Sequence, residues 1–464
     1  MPSFPQFFCP IQTNFCYIMD THEILRHLAD CYRQQGDHQR AIAYYHRSLK
    51  HDSNLDLGSA SQHRQWGDWL MTFQQWQRAI DAYERSLTLE PDNFQTLYQQ
   101  AACFSQLGDR AAMVRLYLKS IPLNPDFPWY YYPLFWQSLK HENKVPEAIA
   151  QFQKTLTQFP KSLNVYINLG DALSLNNQTE AAIRYYQKGV KLMYPQLGKI
   201  APEPTLDKPN SHQLQTSEPT ANINFMILGV QKAGTSSLYA YLSQHPQILP
   251  PLRKELEFWS WKFYQGLDWY LSQFPIGRYS CGKPIQDYQT GEACPNYFDF
   301  PDTPERLARH CPTTKFIILL RNPVDRAISH YHHWRKIHQE SLSLEDAFEM
   351  NLKNLSPNSP YSGVPKNYLE RGLYANHLRR WFSYFPRERF LILKSERFYE
   401  NPEATLRQVY EFLELPHQPL SHYPKYNTGA YPPSDAKIRD VLNKFYKPHN
   451  QDLNNLLGGV FFES

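Results

Sequence analysis

A chain of 464 residues is longer than one hydrophobic core usually supports, so we expect two or more domains. Residues 1–221 carry 20 basic and 20 acidic side chains and residues 222–464 carry 28 and 24, so the whole net charge of +4 lies in the second part. That excess argues against non-specific nucleic-acid binding, which uses dense basic patches, but it is compatible with a site that takes anionic ligands at a few points.

The N-terminal segment, residues 1–21, is apolar, but it lacks the positive region and the small-residue cleavage site of a signal peptide. The seven scattered cysteines form neither a C-x-x-C zinc pair nor a dense disulfide framework, which favours a reducing compartment. No run of 18 apolar residues occurs along the chain. We therefore expect a cytoplasmic protein that does not span a membrane.

Residues 22–195 repeat a helical pattern, and each unit closes near a proline. The prolines at 91, 125, 160 and 195 are 34, 35 and 35 residues apart. Segments such as RAIDAYERSLTLEP and EAIAQFQKTLTQFP place small, aliphatic and aromatic residues at helical spacing, and a second segment in each unit supplies a partner helix. The pattern resembles about five tetratricopeptide repeats (TPRs), which implies an all-α solenoid that binds a protein or peptide partner. The alternative is that the repeats only solubilise or space the rest of the chain.

The sequence changes character after the repeats. Residues 195–221 contain five prolines and no periodic apolar pattern, and we assign residues 196–221 as a linker. From residue 222 onward, short aliphatic runs alternate with helical stretches: INFMILG at 223, KFIILL at 315 and RFLILK at 389. This alternation predicts an α/β domain over residues 222–464 with a central parallel sheet.

The first aliphatic run continues into a glycine-containing turn and a helix, which together form an anion cradle. The candidate phosphate-binding residues are Lys232, Ala233, Gly234, Thr235, Ser236 and Ser237. The loop resembles a P-loop but departs from the nucleotide-hydrolysing pattern, because Thr235 stands where the lysine would be. The KFIILL run also ends at Arg321 rather than at a metal-binding aspartate. These departures argue against ATP hydrolysis.

A second anion site is predicted in LLRNPVDRAISHYHHW. Arg321 ends the aliphatic run, and Ser329 lies two turns into the following helix. An arginine and a serine at the carboxyl end of a parallel strand can hold one phosphate together.

These elements resemble the PAPS-dependent sulfotransferases, where PAPS is 3′-phosphoadenosine-5′-phosphosulfate. The resemblance is closest to the heparan sulfate glucosaminyl N- and 3-O-sulfotransferases, and it extends through KELEFW, GLDWYLSQFP, GEACPNYF and FYKPHNQDLNNLL. It implies PAPS as co-substrate without a metal. The GVQKAGTSS loop then holds the 5′-phosphosulfate, with Lys232 stabilising the departing phosphate, and Arg321 and Ser329 hold the 3′-phosphate.

The same resemblance implies that Glu255 in KELEFW is the catalytic base, and we expect Glu257 to face the other side of an extended segment. Two departures stand out. Ala293 occupies a position where the family commonly has lysine. The family's vertebrate members carry a late disulfide and a Lys-Gly-Arg loop, whereas here no cysteine follows Cys311 and residues 425–429 read KYNTG. We predict that Lys425 substitutes for the basic side chain of that loop.

Other candidates have plainer interpretations. His330, His332, His333 and His338 cluster on one predicted helix, but no ligand set with metal-binding spacing completes them, so acceptor contacts or surface exposure are favoured. Trp259, Trp261 and Trp269 are candidates for a sugar-stacking platform, although core packing is favoured for each.

The sequence therefore predicts a sulfotransferase that acts on a hydroxyl or amine of a carbohydrate or glycolipid acceptor, with the repeats recruiting the acceptor or a partner. Protein-tyrosine sulfation is an alternative, because TPRs bind peptides. A TPR scaffold with an inactive nucleotide-binding domain is another.

Overall fold

In a computed structural model of the protein, the described residues are 21–51, 59–195, 221–275, 288–337, 340–355, 366–426 and 436–462. Nearly all of the predicted N-terminal segment and linker lie outside them. The chain forms two compact units: Met1–Asn124 with Gln137–Lys144, and Pro125–Trp136 with Val145–Ser464. The second unit thus contains the last repeat together with the α/β region. The domain boundaries predicted from the sequence, at residues 22, 196 and 222, stay a prediction. The two compact units divide the chain at other residues, between 124 and 145.

The repeat region is helical throughout its described part. Its α-helices are α1 (Thr21–Gln34), α2 (His38–His51), α3 (Ala60–Thr72), α4 (Trp76–Leu89), α5 (Phe94–Gln106), α6 (Arg110–Ser120), α7 (Pro133–His141), α8 (Val145–Gln158), α9 (Leu163–Leu175) and α10 (Thr179–Met193). Short 3-10 helices follow at Ile121–Leu123 and Trp129–Tyr131. Helices pack in sequential pairs, α1 on α2, α3 on α4, α5 on α6 and α9 on α10. The predicted two-helix repeat is confirmed.

A glycine on the first helix and a tyrosine on the second explain how closely the two helices of such a pair pack. A Cβ atom at Gly67 would lie 2.4 Å from the ring of Tyr83, and one at Gly170 would lie 2.3 Å from the ring of Tyr186. Both tyrosines are fully buried. In these two pairs, α3 with α4 and α9 with α10, the first helix therefore needs a residue without a side chain where the second helix inserts its ring, and the glycine and tyrosine have the same spacing in both.

The α/β region contains a parallel sheet with strand order β2-β1-β3-β4 in the part of the chain that the structure describes. Its strands are β1 (Phe225–Gly229), β2 (Gly291–Ala293), β3 (Lys315–Leu320) and β4 (Phe390–Lys394). Every residue of β1 is buried, as is typical of the central strands of a parallel sheet. The three aliphatic runs form β1, β3 and β4 as predicted, whereas the short strand β2 was not predicted.

Further helices surround this sheet: α11 (Thr235–Leu242), α12 (Leu267–Leu271), α13 (Thr303–His310), α14 (Pro323–Lys336), α15 (Leu344–Asn354), α16 (Tyr374–Phe382), α17 (Ser395–Glu400), α18 (Pro402–Leu413) and α19 (Ala436–Leu457). Short 3-10 helices occur at Phe263–Gln265, Glu370–Gly372 and Arg387–Arg389. Of the helices described, none is both long and apolar enough to cross a membrane.

Candidate active site

The predicted phosphate loop leaves the carboxyl end of β1 and is held there by the ends of two other strands. Arg321, which follows β3, donates from Nη1 to the backbone oxygen of Lys232 over 2.9 Å. Ser395, which follows β4, donates its hydroxyl to the backbone oxygen of Ala233 over 2.7 Å. Because all strands are parallel, these contributions meet at one edge of the sheet.

Gly234 caps the N-terminus of α11 in a conformation that excludes other residues. Its φ is +100°, and a Cβ atom there would lie 2.7 Å from the hydroxyl of Tyr399. The loop can therefore turn directly into the helix, whose N-terminal amides carry positive partial charge. This is the geometry expected of an anion cradle.

The three hydroxyl residues of the loop differ in their surroundings. Thr235 and Ser237 are buried, and Ser236 is half-buried. The Ser237 hydroxyl accepts a 3.1 Å hydrogen bond from the backbone N–H of Tyr426. Ser237 thus links α11 to the segment before residue 427, in addition to any contact with a ligand.

Lys232 lies in a strongly cationic environment that also contains the predicted base. Burial, followed by the nearby charge of Arg321, lowers the pKa of Lys232, while Glu255 opposes the shift. The loop lysine, the second predicted anion-binding side chain and the predicted base therefore interact electrostatically within one site.

Glu255 lies on a segment attached to the sheet. Its backbone N–H donates to the oxygen of Ala293 over 3.1 Å, and its carboxylate forms an ion pair with Lys254. Ala293 is fully buried in β2. The departure from the family's lysine therefore lies in the sheet, directly beside the base-containing segment.

We expected Glu257 to face the other side of an extended segment from Glu255, and this expectation is wrong. The segment is not extended, because Glu255 and Glu257 have φ values of +61° and +57°. Residues two positions apart on an extended strand would in any case share a face. Glu257 accepts hydrogen bonds from Asn296 and Ser260 over 2.7 and 2.8 Å, and burial followed by the charge of Glu255 raises its pKa. The two carboxylates are near neighbours, and Glu257 is tied into the protein.

The second predicted anion site lies at the junction of β3 and α14. Asn322 caps α14 by accepting from the backbone N–H groups of Val324 and Asp325 over 3.0 and 3.2 Å. Ser329 lies two turns into this helix and is 8% exposed. The joint role of Arg321 and Ser329 in holding a phosphate stays a prediction.

Lys425 is exposed and its Nζ lies 5.3 Å from the centre of the Tyr399 ring. Tyr399 abuts Gly234, so Lys425 approaches the phosphate loop through this ring. The next residue, Tyr426, makes the backbone hydrogen bond to Ser237 already described. The proposed substitution for a basic covering loop stays a prediction, and residues 427–435 lie outside the described part.

Two groups beside the site were missed by the sequence analysis. Arg371 donates from Nη1 to the side-chain oxygens of Gln231 and Asn296 over 2.8 and 3.0 Å, which joins the phosphate loop to the segment after β2. Glu292 is fully buried and accepts from Tyr270 and Tyr297 over 2.6 and 3.1 Å. Burial raises the pKa of Glu292 to about 7. An arginine or glutamate alone in a sequence carries no signal of such long-range partners.

Tyr297 extends the buried Glu292 network to the base-containing segment. Its hydroxyl donates to Glu292 and accepts from the backbone N–H of Phe258 over 3.0 Å. Glu292 therefore supports the segment that carries Glu255 through one intervening side chain.

The histidines of the predicted cluster have different environments in the structure. His330 is fully buried and accepts from the Trp334 indole N–H over 2.9 Å. Burial and then the charge of Lys232 lower the pKa of His333 to about 4, while Glu255 opposes the shift, so His333 is a neutral side chain beside the site. His338 lies outside the described residues. Among those described, no group of three or more histidine, cysteine or acidic side chains is arranged to hold a metal ion.

The candidate tryptophan platform is mostly core. Trp259 and Trp269 are buried, as the favoured interpretation predicted, whereas Trp261 is 45% exposed and its ring centre lies 4.9 Å from that of Phe300.

Comparison with known proteins agrees with this geometry. The family described as the sulfotransferase domain matches residues 222–429. This chain carries a sulfotransferase domain. Two tetratricopeptide-repeat families match residues 22–55 and 163–192. The resemblances inferred from the sequence are confirmed for both regions.

The sulfotransferase domain also has named relatives. Human bifunctional heparan sulfate N-deacetylase/N-sulfotransferase 3 is 28% identical over 332 residues, which cover 64% of this chain and 37% of that protein. The mouse protein of the same name is 31% identical over 264 residues, covering 50% and 29%. The chain thus spans about a third of the length of these relatives. The solved structure of a sulfotransferase from Alicyclobacillus acidocaldarius is 29% identical with a TM-score of 0.42, covering 51% of this chain and 96% of that one.

Proposed function

We propose that this protein transfers a sulfuryl group from PAPS to a hydroxyl or amine of a carbohydrate-type acceptor, and that its TPRs recruit the acceptor or a protein partner. The observation that carries the proposal is the common electrostatic site of Lys232, Arg321 and Glu255 at the carboxyl edge of the sheet. The names of the relatives support a heparan sulfate-type acceptor. The cytoplasmic location expected from the sequence stays a prediction.

Glu255 and Lys232 have separate roles in the transfer reaction. The acceptor oxygen or nitrogen forms a bond to sulfur, the bond between sulfur and the phosphate oxygen breaks, and the acceptor proton passes to Glu255. Lys232 stabilises the negative charge that develops on the departing phosphate oxygen. Arg321 places a second positive charge near Lys232, close enough to lower the pKa of the lysine. Two positive charges at this point favour the stabilisation of a negative leaving group.

The base has a cationic neighbour in the sequence and in the structure. Lys254 forms an ion pair with the Glu255 carboxylate. Glu255 is half-buried, so an acceptor can reach it from the solvent side.

The test is transfer of radiolabelled sulfate from PAPS to a panel of glycans, glycolipids and tyrosine peptides by the intact protein. We expect label on a sugar, and a loss of turnover of about 100-fold to 10,000-fold in Glu255→Gln, as is typical for removal of a general base. Calorimetry should show that Glu255→Gln still binds the nucleotide and that Lys232→Ala binds it weakly.

Glu305→Gln is the matched control, because Glu305 is an exposed carboxylate that pairs with Arg309 on the surface. Its turnover should match that of the wild type. Unchanged transfer in Glu255→Gln would refute the assignment of the base. Nucleotide binding without transfer to any acceptor would support the scaffold alternative, and label on tyrosine peptides alone would support tyrosine sulfation.

A further inference from the structure

A short segment of the repeat region departs from the two-helix pattern. The 3-10 helix Trp129–Tyr131 lies between α6 and α7, within the sequence DFPWYYYP. Trp129 is buried, whereas Tyr131 is 50% exposed with its ring centre 4.6 Å from that of Tyr130. This segment belongs to the same compact unit as the sulfotransferase domain.

Tyr130 joins this segment to α9. Its backbone N–H donates to Asn168 Oδ1 and its hydroxyl donates to Asn164 Oδ1, each over 3.2 Å. Asn168 also donates to the backbone oxygen of Phe127 over 2.9 Å. The segment therefore has a fixed position on the helix rather than that of a loose loop.

The same face of α9 holds the segment that carries Glu255. Asp171, one turn beyond Asn168, accepts two hydrogen bonds from Arg253 over 2.5 and 2.8 Å. Residues 164, 168 and 171 recur at the i, i+4, i+7 spacing of one helix face. The Arg253 guanidinium lies 5.2 Å from the centre of the Tyr130 ring. One polar stripe thus positions the tyrosine pair and the base-containing segment side by side.

Tyr131 lies close enough to the base to respond to its charge. Partial burial, followed by the charges of Tyr130 and Glu255, raises the pKa of Tyr131, while Arg253 opposes the shift. Through Tyr130 and Arg253, an exposed aromatic ring therefore lies near the segment that carries the base.

We propose that Tyr131 is an acceptor-binding residue whose exposed ring stacks against a sugar ring while Glu255 takes the proton of that acceptor. The inference rests on the proposed function and deepens it, because it assigns acceptor recognition to the repeat region. Ligand sites are commonly lined by aromatic side chains with a few oriented polar groups. Tyrosine suits this role because it presents a rigid ring at a low entropic cost.

The experiment compares Tyr131→Ala and Tyr131→Phe with Tyr264→Ala in the full-length protein. Tyr264 is a matched control because it is 77% exposed and also belongs to a 3-10 helix of the second unit. With N-desulfated heparan sulfate as the acceptor probe, we expect Tyr131→Ala to raise the acceptor KM about tenfold, as loss of one stacking contact predicts. Tyr131→Phe keeps the ring and should stay within about twofold of the wild type, as should Tyr264→Ala. The KM for PAPS should not change in any of them.

A binding measurement separates this inference from the proposed function. Saturation-transfer NMR of the same oligosaccharide with the intact protein and adenosine 3′,5′-bisphosphate reports acceptor contact without turnover. Sugar binding that depends on Tyr131 in a protein that transfers no sulfate would uphold acceptor binding by Tyr131 and refute the sulfotransferase activity. Transfer to sugars with an unchanged acceptor KM in Tyr131→Ala would refute acceptor binding by Tyr131 and uphold the activity. Binding of tyrosine peptides in preference to sugars would overturn the assigned acceptor class.

Discussion

The ion pair between Asp171 and Arg253 offers a direct test of how the last repeat supports the sulfotransferase domain. The two side chains are 10% and 2% exposed, and Tyr186 donates a further 2.5 Å hydrogen bond to Asp171. The substitution Asp171→Asn keeps the shape but leaves the buried guanidinium without its counter-charge. We expect a destabilisation of about 3–5 kcal/mol, the usual cost of breaking a buried pair from one side.

The pH dependence follows from the charge of the aspartate. Burial alone would raise the pKa of Asp171, but the charge of Arg253 outweighs it and lowers the pKa below its ordinary value. The pair therefore stabilises the fold above the pKa of an unfolded aspartate, and this contribution is lost as the pH falls through the folded pKa. The difference between wild type and Asp171→Asn should shrink accordingly in acid.

Urea unfolding followed by tryptophan fluorescence measures this effect, since Trp269 donates from its indole to Ser174 on α9 over 2.7 Å. Asp452→Asn is the matched control, because Asp452 makes the same two-bond contact with Arg379 at 39% and 50% exposure. We expect the control to lose at most about 1 kcal/mol. A loss in Asp171→Asn no larger than in the control would refute the reasoning.

Three other changes should be equally informative. Gly234→Ala introduces a side chain at a φ of +100°, so it should cost at least about 1 kcal/mol and weaken PAPS binding in calorimetry, whereas Gly459→Ala, in open space, should do neither. Between pH 5 and pH 8, Glu292→Gln should gain about 2.5 kcal/mol of stability relative to wild type, because the wild type loses stability as a carboxyl with a folded pKa raised to about 7 ionises. Urea titrations measure this difference, and a difference that does not change with pH would contradict the reasoning. A protein that begins at residue 125 should stay monodisperse and bind PAPS, and one that begins at residue 222, without α9, should aggregate in gel filtration.

Local sequence patterns predicted much of the fold. The repeat period, the three aliphatic strands and the glycine loop each depend on residues within one or two turns of each other, so their signals survive in a linear pattern. Strand β2 was missed because it has only three residues, Gly291–Ala293, with low β propensity, and it exists through its pairing with β1.

The candidate site was only partly predictable. Lys232, Arg321 and Glu255 were predicted from local motifs and a family resemblance, and in the structure the charges of Arg321 and Glu255 act on Lys232. Their roles stay predictions. Arg371 and Glu292 were missed, because a buried charge is recognisable only from partners that are distant in the chain.

By itself, the sequence determined the two kinds of architecture and the glycine-containing turn after the first strand, since helical periodicity and glycine turns act over short distances. The candidate base was predicted only from a family resemblance, and its role stays a prediction. Only the tertiary structure decided that the last repeat belongs to the same compact unit as the sulfotransferase domain. Asp171 and Arg253 are 82 residues apart in the chain, and nothing local to either marks the other as its partner. Burial away from water made that pairing necessary, because an unpaired buried charge is costly.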